Sequence, residues 1–363
     1  MGSAAAYHLA RRQSRVLGLE QYTPAHDQGS SHGKSRIIRE AYFEDPAYVP
    51  LVQRAYILWD ALQRESGTPL MVNTRGLMIG PTDGVLVQGA LASAHAYNLP
   101  HELLSAATIR DRFPVFHPAE DMVAILEPRA GVLFPEACVR AHLSGATQAG
   151  AELRFQEHVR QWRVTADHIE VTTTRETLAA DHLILTAGPW TSQFLEGASV
   201  PLAIQRNVQF WFRPIADAVE FAPDRVPVYI WEYRKGAFFY GFPALGTDGV
   251  KVARHHEGEL CTPQTLRRVV SSEEVDSMRD LLARYLPGAN GEALGASACM
   301  YTNTPDGHFV VDHHPASRQV TLACGFSGHG FKFASVIGEI LADLAREQAT
   351  AHPIALFRIR RFG

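Results

Sequence analysis

The sequence predicts two interleaved domains, one of α/β class and one of α+β class built on an antiparallel sheet. The 363 residues exceed the roughly 250 to 300 that one hydrophobic core usually organises, which indicates more than one domain. Two apolar runs, 181–188 and 320–325, end in small residues, as buried parallel strands that approach a ligand do. Residues 201–301 carry Phe, Tyr, Trp and Val at a period of two, which is typical of antiparallel strands.

Composition and charge exclude several classes of protein. Hydrophobic residues make up 46% of the chain and charged residues 20%, so we expect neither a disordered nor a fibrous protein. The net charge is -4, and no Lys/Arg run would neutralise a row of phosphates, so we expect no nucleic-acid partner. No apolar stretch reaches the roughly 18 residues that cross a bilayer, so we expect no membrane partner. The N-terminus lacks the plan of a signal peptide, and we therefore expect a cytoplasmic protein.

The cysteines indicate reduced thiols and no metal site. Cys138, Cys261, Cys299 and Cys324 are widely spaced, without a C-x-x-C pair and without a histidine cluster nearby. One of them, Cys299, is a candidate for chemistry because of the motif that surrounds it.

The N-terminal segment predicts the second half of a dinucleotide-binding βαβ unit. Residues 1–12 have the composition and spacing of a helix, and 15–20 form an apolar run that ends in Glu20. Gly2 would be the last glycine of a G-x-G-x-x-G fingerprint, and Glu20 would be the acid that binds a ribose. The first strand and the first two glycines would precede Met1, so the first strand is expected to be missing. Ordinary helix-to-strand packing explains the same pattern.

The middle of the chain alternates between helical and extended patterns. Residues 46–62 keep one face apolar, which predicts an amphipathic helix. A short strand is predicted at 76–80 and a helix at 137–149. A strand near 153–155 and a hairpin over 159–174 follow.

Toward the C-terminus the pattern predicts a ligand-binding turn. A helix is predicted at 272–286. The strand at 320–325 leads through Gly325, Gly328 and Gly330 into a helix over 331–346. Backbone N–H groups and the helix dipole at such a turn favour negative charge, although a glycine-rich turn without a ligand explains the spacing too.

Two further patterns carry candidate polar residues. In the strand 250–255, alternation places Lys251 and His255 on one face, which Tyr240 could share. Lys251 is then either a solvated lysine or a partly buried cation that activates dioxygen or has a shifted pKa. Arg36 and Arg39 stand three apart and would face the same way on one helical turn. Arg39 could clamp a substrate carboxylate bidentately, although a surface salt-bridge pattern is the common alternative.

Three longer motifs carry a family resemblance. They are Ser-His-Gly at 31–33 followed by Arg-Ile-Ile-Arg at 36–39, Ala-Cys-Met-Tyr-Thr at 298–302, and Gly-Phe-Ser-Gly-His-Gly-Phe-Lys-Phe at 325–333. With these motifs in this order the chain resembles the monomeric sarcosine oxidase and N-methyltryptophan oxidase group of the D-amino-acid-oxidase-like flavoproteins. The resemblance extends over nearly the whole chain.

The resemblance implies an FAD enzyme with assigned residues. FAD would be bound covalently through Cys299. Arg39 and Lys332 would hold the substrate carboxylate, Tyr240 and His255 would lie near the amine, and Lys251 would assist the reaction with oxygen. The other residues expected to bind the cofactor are Gly2, Glu20, His32, Ser35, Arg36, Val159, Gly188, Gly328, Gly330 and again Lys332. The FAD domain would comprise 1–70, 130–200 and 305–363, and the substrate domain 71–129 and 201–304.

The implied reaction is the oxidation of an N-methyl amino acid. Sarcosine or N-methyl-L-tryptophan and dioxygen would give the demethylated amino acid, formaldehyde and hydrogen peroxide, and the protein would act as a monomer. Two alternatives remain: a flavin dehydrogenase that uses another acceptor, and a non-catalytic homologue whose FAD binding is lost with the first strand. Lys34-Ser35 also departs from the family pattern. The ending 357–362 and the helix over 331–341 resemble the tryptophan-type member, although helix packing explains these residues equally.

Overall fold

Helices and strands alternate along the chain in the computed structural model, which describes residues 1–215 and 217–363. The α-helices are α1 (Gly2–Arg11), α2 (Val49–Ser66), α3 (Val85–Ala96), α4 (Ala106–Arg112), α5 (Pro135–Gln148), α6 (Ser272–Tyr285) and α7 (Ala334–Glu347). The strands are β1 (Leu17–Glu20), β2 (Arg36–Ile38), β3 (Met71–Asn73), β4 (Gly76–Pro81), β5 (Glu102–Ser105), β6 (Met122–Glu127), β7 (Gly131–Leu133), β8 (Glu152–Phe155), β9 (Val159–Val164), β10 (Ile169–Thr173), β11 (Thr177–Ala180), β12 (Leu183–Leu185), β13 (Ala203–Phe212), β14 (Val228–Arg234), β15 (Ala237–Ala244), β16 (Val250–His255), β17 (Leu260–Cys261), β18 (Ala293–Asn303), β19 (Val310–His314) and β20 (Ser317–Cys324).

The α/β part is built on parallel strand pairs that are covered by helices. Strand β1 pairs in parallel with β8, and β12 pairs in parallel with β20, whose other edge takes β19 antiparallel. Helix α1 packs between α5 and α7, and a Cβ on Gly338 would lie 2.5 Å from the Cβ of Ala4, so the two helices approach closely. Among the described residues the two parallel pairs belong to separate sheets.

The second part is a large, mostly antiparallel sheet. Its strand order is β17-β13-β16-β15-β14-β4-β6-β5, and β18 pairs with β13 along ten residue pairs; β14 and β4 are the parallel neighbours. Aromatic side chains form the core between this sheet and α6: the ring of Trp231 lies 5.6 Å from that of Phe239 and 4.8 Å from that of Tyr285. The predicted antiparallel region 201–301 is thereby confirmed, except at residue 216, which lies outside the described residues.

One local prediction was wrong. The spacing of Arg36 and Arg39 suggested a helical turn, but Arg36 begins β2, which pairs antiparallel with β7. The β-branched residues Ile37 and Ile38 explain the difference, because they favour extended backbone. The hairpin predicted at 159–174 is confirmed as β9 and β10. The helix predicted from 331 begins as a short 3-10 turn over Phe331–Phe333 before α7.

The predicted domain boundaries stay a prediction. One buried core joins α1, α2, α5 and α7, and another lies between the large sheet and α6. Helix α3, placed in the substrate domain by the boundaries, contributes Leu86, Val87 and Ala90 to the first core. Within the described part of the chain, no helix combines the length and apolarity that crossing a membrane requires.

Candidate active site

A deep cavity of about 1,270 Å³ is lined by residues of both parts of the fold. Its wall includes the N-terminal turn of α1, the end of β1, the end of β12, the centre of β18 and the glycine-rich turn after β20. Ligand pockets usually measure roughly 300 to 1,000 Å³, so this cavity is large enough for a long ligand beside a small one. It brings together elements that are far apart in the sequence.

One end of the cavity contains the residues expected to bind a nucleotide. Gly2, Glu20, Val159 and Gly188 all line it. One carboxylate oxygen of Glu20 accepts a hydrogen bond from the amide of Tyr22 at 2.9 Å, which holds the side chain at the end of β1. That is the position at which a carboxylate binds ribose hydroxyls in dinucleotide-binding folds.

The glycine-rich turn at 325–330 lies against β18. A Cβ on Gly328 would lie 2.4 Å from the ring of Tyr301, and the φ of Gly328 is +75°, so both space and backbone geometry require glycine. The turn therefore holds Tyr301 from one side while its own backbone lines the cavity.

Cys299 lies in the wall of the same cavity. Its side chain belongs to β18 and is 2% exposed. The sulfur lies 3.9 Å from the carbonyl oxygen of Ser30 and 4.0 Å from a guanidinium nitrogen of Arg36. Cys299, Arg36 and the 325–330 turn thus line one cavity.

Beside Cys299 several buried polar atoms lack a partner within the protein. They are Nδ2 of Asn207 and Oε1 of Gln209, while Nε2 of His32 is a further unpartnered atom behind the cavity wall. Asn207 is the cross-strand partner of Cys299, and both Asn207 and Gln209 line the cavity. Burying such atoms without a hydrogen bond is costly, which indicates a polar ligand at this wall.

Lys251 lies behind the cavity wall and holds a loop. Its ammonium donates to the carbonyl oxygens of Gly33 at 2.6 Å and Ser35 at 2.9 Å. The amide of Gly33 donates to the carboxylate of Glu136 at 2.8 Å, so the loop is held from both sides. Burial, and then the charge of Arg36, lower the pKa of Lys251 well below its ordinary value. Lys251, His32 and Ser35 are buried beside the cavity and do not line it.

Tyr240, His255 and Tyr301 form a polar group on the large sheet. The hydroxyl of Tyr301 lies 3.4 Å from that of Tyr240 and 3.3 Å from Nδ1 of His255. Burial lowers the pKa of His255 well below its ordinary value and raises the pKa of both tyrosines, so all three are neutral near pH 7. The predicted shared face of Lys251, His255 and Tyr240 agrees with the strand register.

Arg39 already forms an ion pair with a carboxylate of the protein. Its guanidinium donates to both carboxylate oxygens of Glu44, at 2.8 and 2.6 Å, and lies 4.3 Å from the centroid of the Tyr42 ring. Burial alone would raise the pKa of Glu44, but Arg39, His329 and Lys332 together hold it below the ordinary value. Both Arg39 and Glu44 line the cavity, so an incoming carboxylate meets a preformed ion pair.

Lys332 is the second cation at this end. Its ammonium donates to the carbonyl oxygen of His329 at 2.7 Å and lies 3.4 Å from the hydroxyl of Tyr42. Burial and then the charge of Arg39 lower the pKa of Lys332 to about 7, against an opposing effect of Glu44. Arg39 and Lys332 thus contact the same tyrosine and line the same cavity.

Glu127 positions the turn that carries Arg39. Its carboxylate accepts hydrogen bonds from the amides of Glu40 at 2.7 Å and Ala41 at 2.8 Å. Burial raises the pKa of Glu127 to about 7, although both amides lower it. Glu127 is 87 residues away from Glu40 in sequence, and the pairing of β2 with β7 brings the two segments together.

We predict that Glu127→Ala destabilises the protein. Removing an acceptor leaves a buried amide unsatisfied at a cost of roughly 1 to 3 kcal/mol, and here two amides lose their acceptor. Urea unfolding is expected to show a loss of roughly 2 to 6 kcal/mol. As the matched control, Glu120→Ala removes an exposed carboxylate that is paired with Arg110 and should change stability by less than about 0.5 kcal/mol. Equal stabilities of the two variants would contradict this role.

The sequence had not indicated several of these residues. Tyr42, Glu44, Glu127, Asn207 and Gln209 were missed, and Tyr301 was noted only as part of a motif. Glu44, five residues after Arg39, was the one available signal, because an acid at that distance can pair with an arginine in a turn. Of the predicted residues, those that line the cavity are Tyr240, His255, Arg39, Lys332, Cys299, Gly2, Glu20, Arg36, Val159, Gly188, Gly328 and Gly330.

Comparison with known proteins gives the family. A family model described as FAD dependent oxidoreductase matches residues 1–344. The chain belongs to this family. The resemblance that the motifs suggested is therefore confirmed, and the cofactor is FAD.

Individual relatives of this FAD-dependent oxidoreductase are similar over their whole length. It is 49% identical to the monomeric sarcosine oxidase of Streptomyces avermitilis, over 100% of this chain and 95% of that protein. It is 33% identical to the N-methyl-L-tryptophan oxidase of Yersinia pestis, over 100% and 96% respectively. Among solved structures, NikD, an unusual amino acid oxidase of nikkomycin biosynthesis, superposes with a TM-score of 0.86 at 25% identity, over 98% of this chain and 94% of that one.

The residues of this FAD-dependent oxidoreductase fit the cofactor. The orphaned polar atoms of Asn207 and Gln209 belong to side chains that line the cavity, and Asn207 lies opposite Cys299, so a polar ring edge beside Cys299 would meet them. Glu20 stands at the far end for the ribose. Within residues 1–215 and 217–363, no group of three or more His, Cys, Asp and Glu side chains could hold a metal ion.

Proposed function

We propose that this protein oxidises the secondary amine of an N-methyl amino acid, with dioxygen as the electron acceptor. The overall reaction converts the N-methyl amino acid, water and dioxygen into the demethylated amino acid, formaldehyde and hydrogen peroxide. Sarcosine is the proposed first substrate, because the relatives named sarcosine oxidase reach 49% identity and the relative named N-methyl-L-tryptophan oxidase 33%.

One observation carries this proposal. The two buried cations Arg39 and Lys332 both contact the ring of Tyr42, and both line the cavity that also contains Cys299. A carboxylate is the anion that suits a planar guanidinium beside an ammonium. A small amino acid held there by its carboxylate places its amine in the remaining cavity.

The same cations prepare the amine for oxidation. A secondary amine must be deprotonated before a C–H hydride can leave the carbon beside it. Nearby positive charge disfavours an ammonium ion, so Arg39 and Lys332 lower the pKa of the bound amine while they pair with the carboxylate. His255 is neutral and adds no charge that would repel the substrate or retain its proton.

FAD supplies the redox chemistry when bound, by accepting the hydride. The protein side chains orient the substrate and exclude water. We propose that Cys299 holds the cofactor covalently, that His32, Ser35 and Arg36 surround the ring, and that Lys251 assists the reaction with dioxygen. The buried position of Cys299 and its 4.0 Å distance to Arg36 support this arrangement.

We further propose a cytoplasmic monomer. The four cysteines Cys138, Cys261, Cys299 and Cys324 are free, as is usual in a reducing compartment. Several relatives are named monomeric sarcosine oxidase. Size-exclusion chromatography of the purified protein tests the monomer directly.

A peroxide assay tests the function. Purified protein is expected to produce hydrogen peroxide and formaldehyde in equal amounts from sarcosine. Peroxide production from sarcosine is then compared with that from N-methyl alanine, proline and N-methyltryptophan. A protein that contains FAD but produces no peroxide with any of them would overturn the proposal.

Acid precipitation tests the covalent link. We predict that the wild-type precipitate remains yellow, because a thioether survives acid, and that Cys299→Ser releases all flavin into the supernatant. Cys324→Ser is the matched control, since Cys324 is also buried and lines the cavity, and its precipitate should stay yellow. Flavin retained by Cys299→Ser would show a different attachment point.

A further inference from the structure

We propose that Tyr42 and His329 are positioning residues that keep Lys332 in its cationic, carboxylate-binding form. Tyr42, His329, Lys332 and the carbonyl of Gly307 make one chain of hydrogen bonds that leads away from the cavity. The inference deepens the proposed function, on which it rests, because it explains how one of the two cations is maintained in a buried site.

The direction of each hydrogen bond follows from its partners. Nε2 of His329 lies 3.0 Å from the carbonyl oxygen of Gly307, and a carbonyl only accepts, so Nε2 carries the hydrogen. Nδ1 of the neutral ring must then accept, and it lies 2.5 Å from the hydroxyl of Tyr42. Tyr42 therefore donates to His329 and presents its lone pairs to the ammonium of Lys332, 3.4 Å away.

The neutral state of His329 makes this arrangement stable. Burial lowers the pKa of His329 to about 3, and Lys332 and Arg39 add to the effect against an opposing effect of Glu44. The ring therefore stays neutral at any pH at which the enzyme would work, so Nδ1 remains an acceptor. The hydroxyl of Tyr42 cannot turn around and donate to Lys332.

The chain of hydrogen bonds favours the charged form of Lys332. A hydrogen bond from an ion is stronger than one between neutral groups, and successive donors that point the same way strengthen one another. The ammonium form of Lys332 gains from both acceptors, the hydroxyl of Tyr42 and the backbone carbonyl of His329, whereas the neutral amine gains less. Two of its three N–H groups are used, so the third is left for a ligand in the cavity.

Other charges around Lys332 act independently of this chain. Arg39 disfavours its positive charge and Glu44 favours it. His255 lies on the facing sheet and is neutral. Neither Arg39, Glu44 nor His255 forms a hydrogen bond with the hydroxyl of Tyr42. Replacing that hydroxyl therefore interrupts the chain of hydrogen bonds and leaves these charges in place.

Acetate binding tests the proposal. Acetate is a carboxylate without an amine, and its affinity for the holoenzyme can be followed by the change in flavin absorbance across pH. In the wild type, affinity should fall as pH rises through about 7, because Lys332 loses its proton there. In Tyr42→Phe the ring and its contacts with both cations remain, and the fall should move about one pH unit lower. Affinity should then drop roughly tenfold at about pH 8 and less than about twofold at about pH 5.5.

A second variant and a control separate this role from simple stability. His329→Gln removes the Nδ1 acceptor but keeps an amide donor for Gly307, and it should shift the profile in the same way. Tyr48→Phe is the matched control: its ring stacks on Tyr42 at 4.7 Å, but its hydroxyl bonds His308 at 3.1 Å, outside the chain. Its pH profile should be that of the wild type.

A failure of the positioning role can be distinguished from a failure of the proposed oxidase activity. If acetate binds with the same pH profile in the wild type, Tyr42→Phe and His329→Gln, the positioning role is overturned, whether or not peroxide is produced from sarcosine. If the profiles shift as expected but no N-methyl amino acid yields peroxide, the positioning role stands and the proposed oxidase activity fails. A profile of Tyr48→Phe that shifts as far as that of Tyr42→Phe also contradicts the proposal.

Discussion

Arg39→Met is expected to lower kcat/KM for sarcosine by roughly 30-fold to 3,000-fold. Truncating one partner of a buried charge pair costs roughly 2 to 5 kcal/mol, and each 1.4 kcal/mol is a factor of about ten. Arg39 is the only one of the two cations that offers a planar, bidentate donor, so methionine cannot replace its geometry. Steady-state kinetics across sarcosine concentrations measure the effect, and most of it should be in KM.

Controls for this variant use Glu44 and the substrate carboxylate. Arg39→Met leaves Glu44 buried without its partner, so Arg39→Met/Glu44→Gln removes both charges and should recover stability but not activity. Glu44→Gln alone frees Arg39 from its competitor and should strengthen acetate binding. An N-methyl amine without a carboxylate should lose much less activity in Arg39→Met than sarcosine does, because only the effect of Arg39 on the pKa of the amine is then removed. A loss with that amine as large as the loss with sarcosine would contradict a carboxylate-binding role.

Periodic elements were predictable from the sequence because their signal is local. The helix at α6 and the strands of the 201–301 region follow from the spacing of apolar residues, which each segment carries by itself. The turn before α7 was predictable from its glycines and from the strand and helix on either side. Arg36 shows the limit of such local signals, because a spacing of three suggested a helix while neighbouring isoleucines formed a strand.

The polar partners of the site were not predictable from the pattern. Glu127 meets the Arg39 turn only through strand pairing, and the Tyr42 hydroxyl meets His329 across 287 residues. Alternation along a strand indicates which face a residue occupies but not which group it meets there. That is why Lys251 was expected at the correct face, yet its bonds to the carbonyls of Gly33 and Ser35 were not foreseen.

These bonds give Lys251 two possible roles, which Lys251→Met separates. The proposed role in oxygen chemistry predicts that the anaerobically reduced variant reacts with dioxygen roughly 100-fold to 1,000-fold more slowly, because one preorganised hydrogen-bond donor is worth about that factor in rate. Its flavin content and its rate of anaerobic reduction by sarcosine should change little. Stopped-flow mixing of the reduced protein with oxygenated buffer, beside an anaerobic reduction by substrate, measures the two steps separately.

If Lys251 serves only to hold the 32–36 loop, the pattern differs. Losing two buried hydrogen bonds would then displace His32 and Arg36, so flavin content and anaerobic reduction should fall together with the oxygen reaction. Lys34→Met is the matched control, because Lys34 belongs to the same loop but is exposed and pairs with Asp248 at the surface. A selective loss of the oxygen step in Lys251→Met alone, with Lys34→Met unchanged, would also separate an oxidase from a dehydrogenase that passes its electrons to another acceptor.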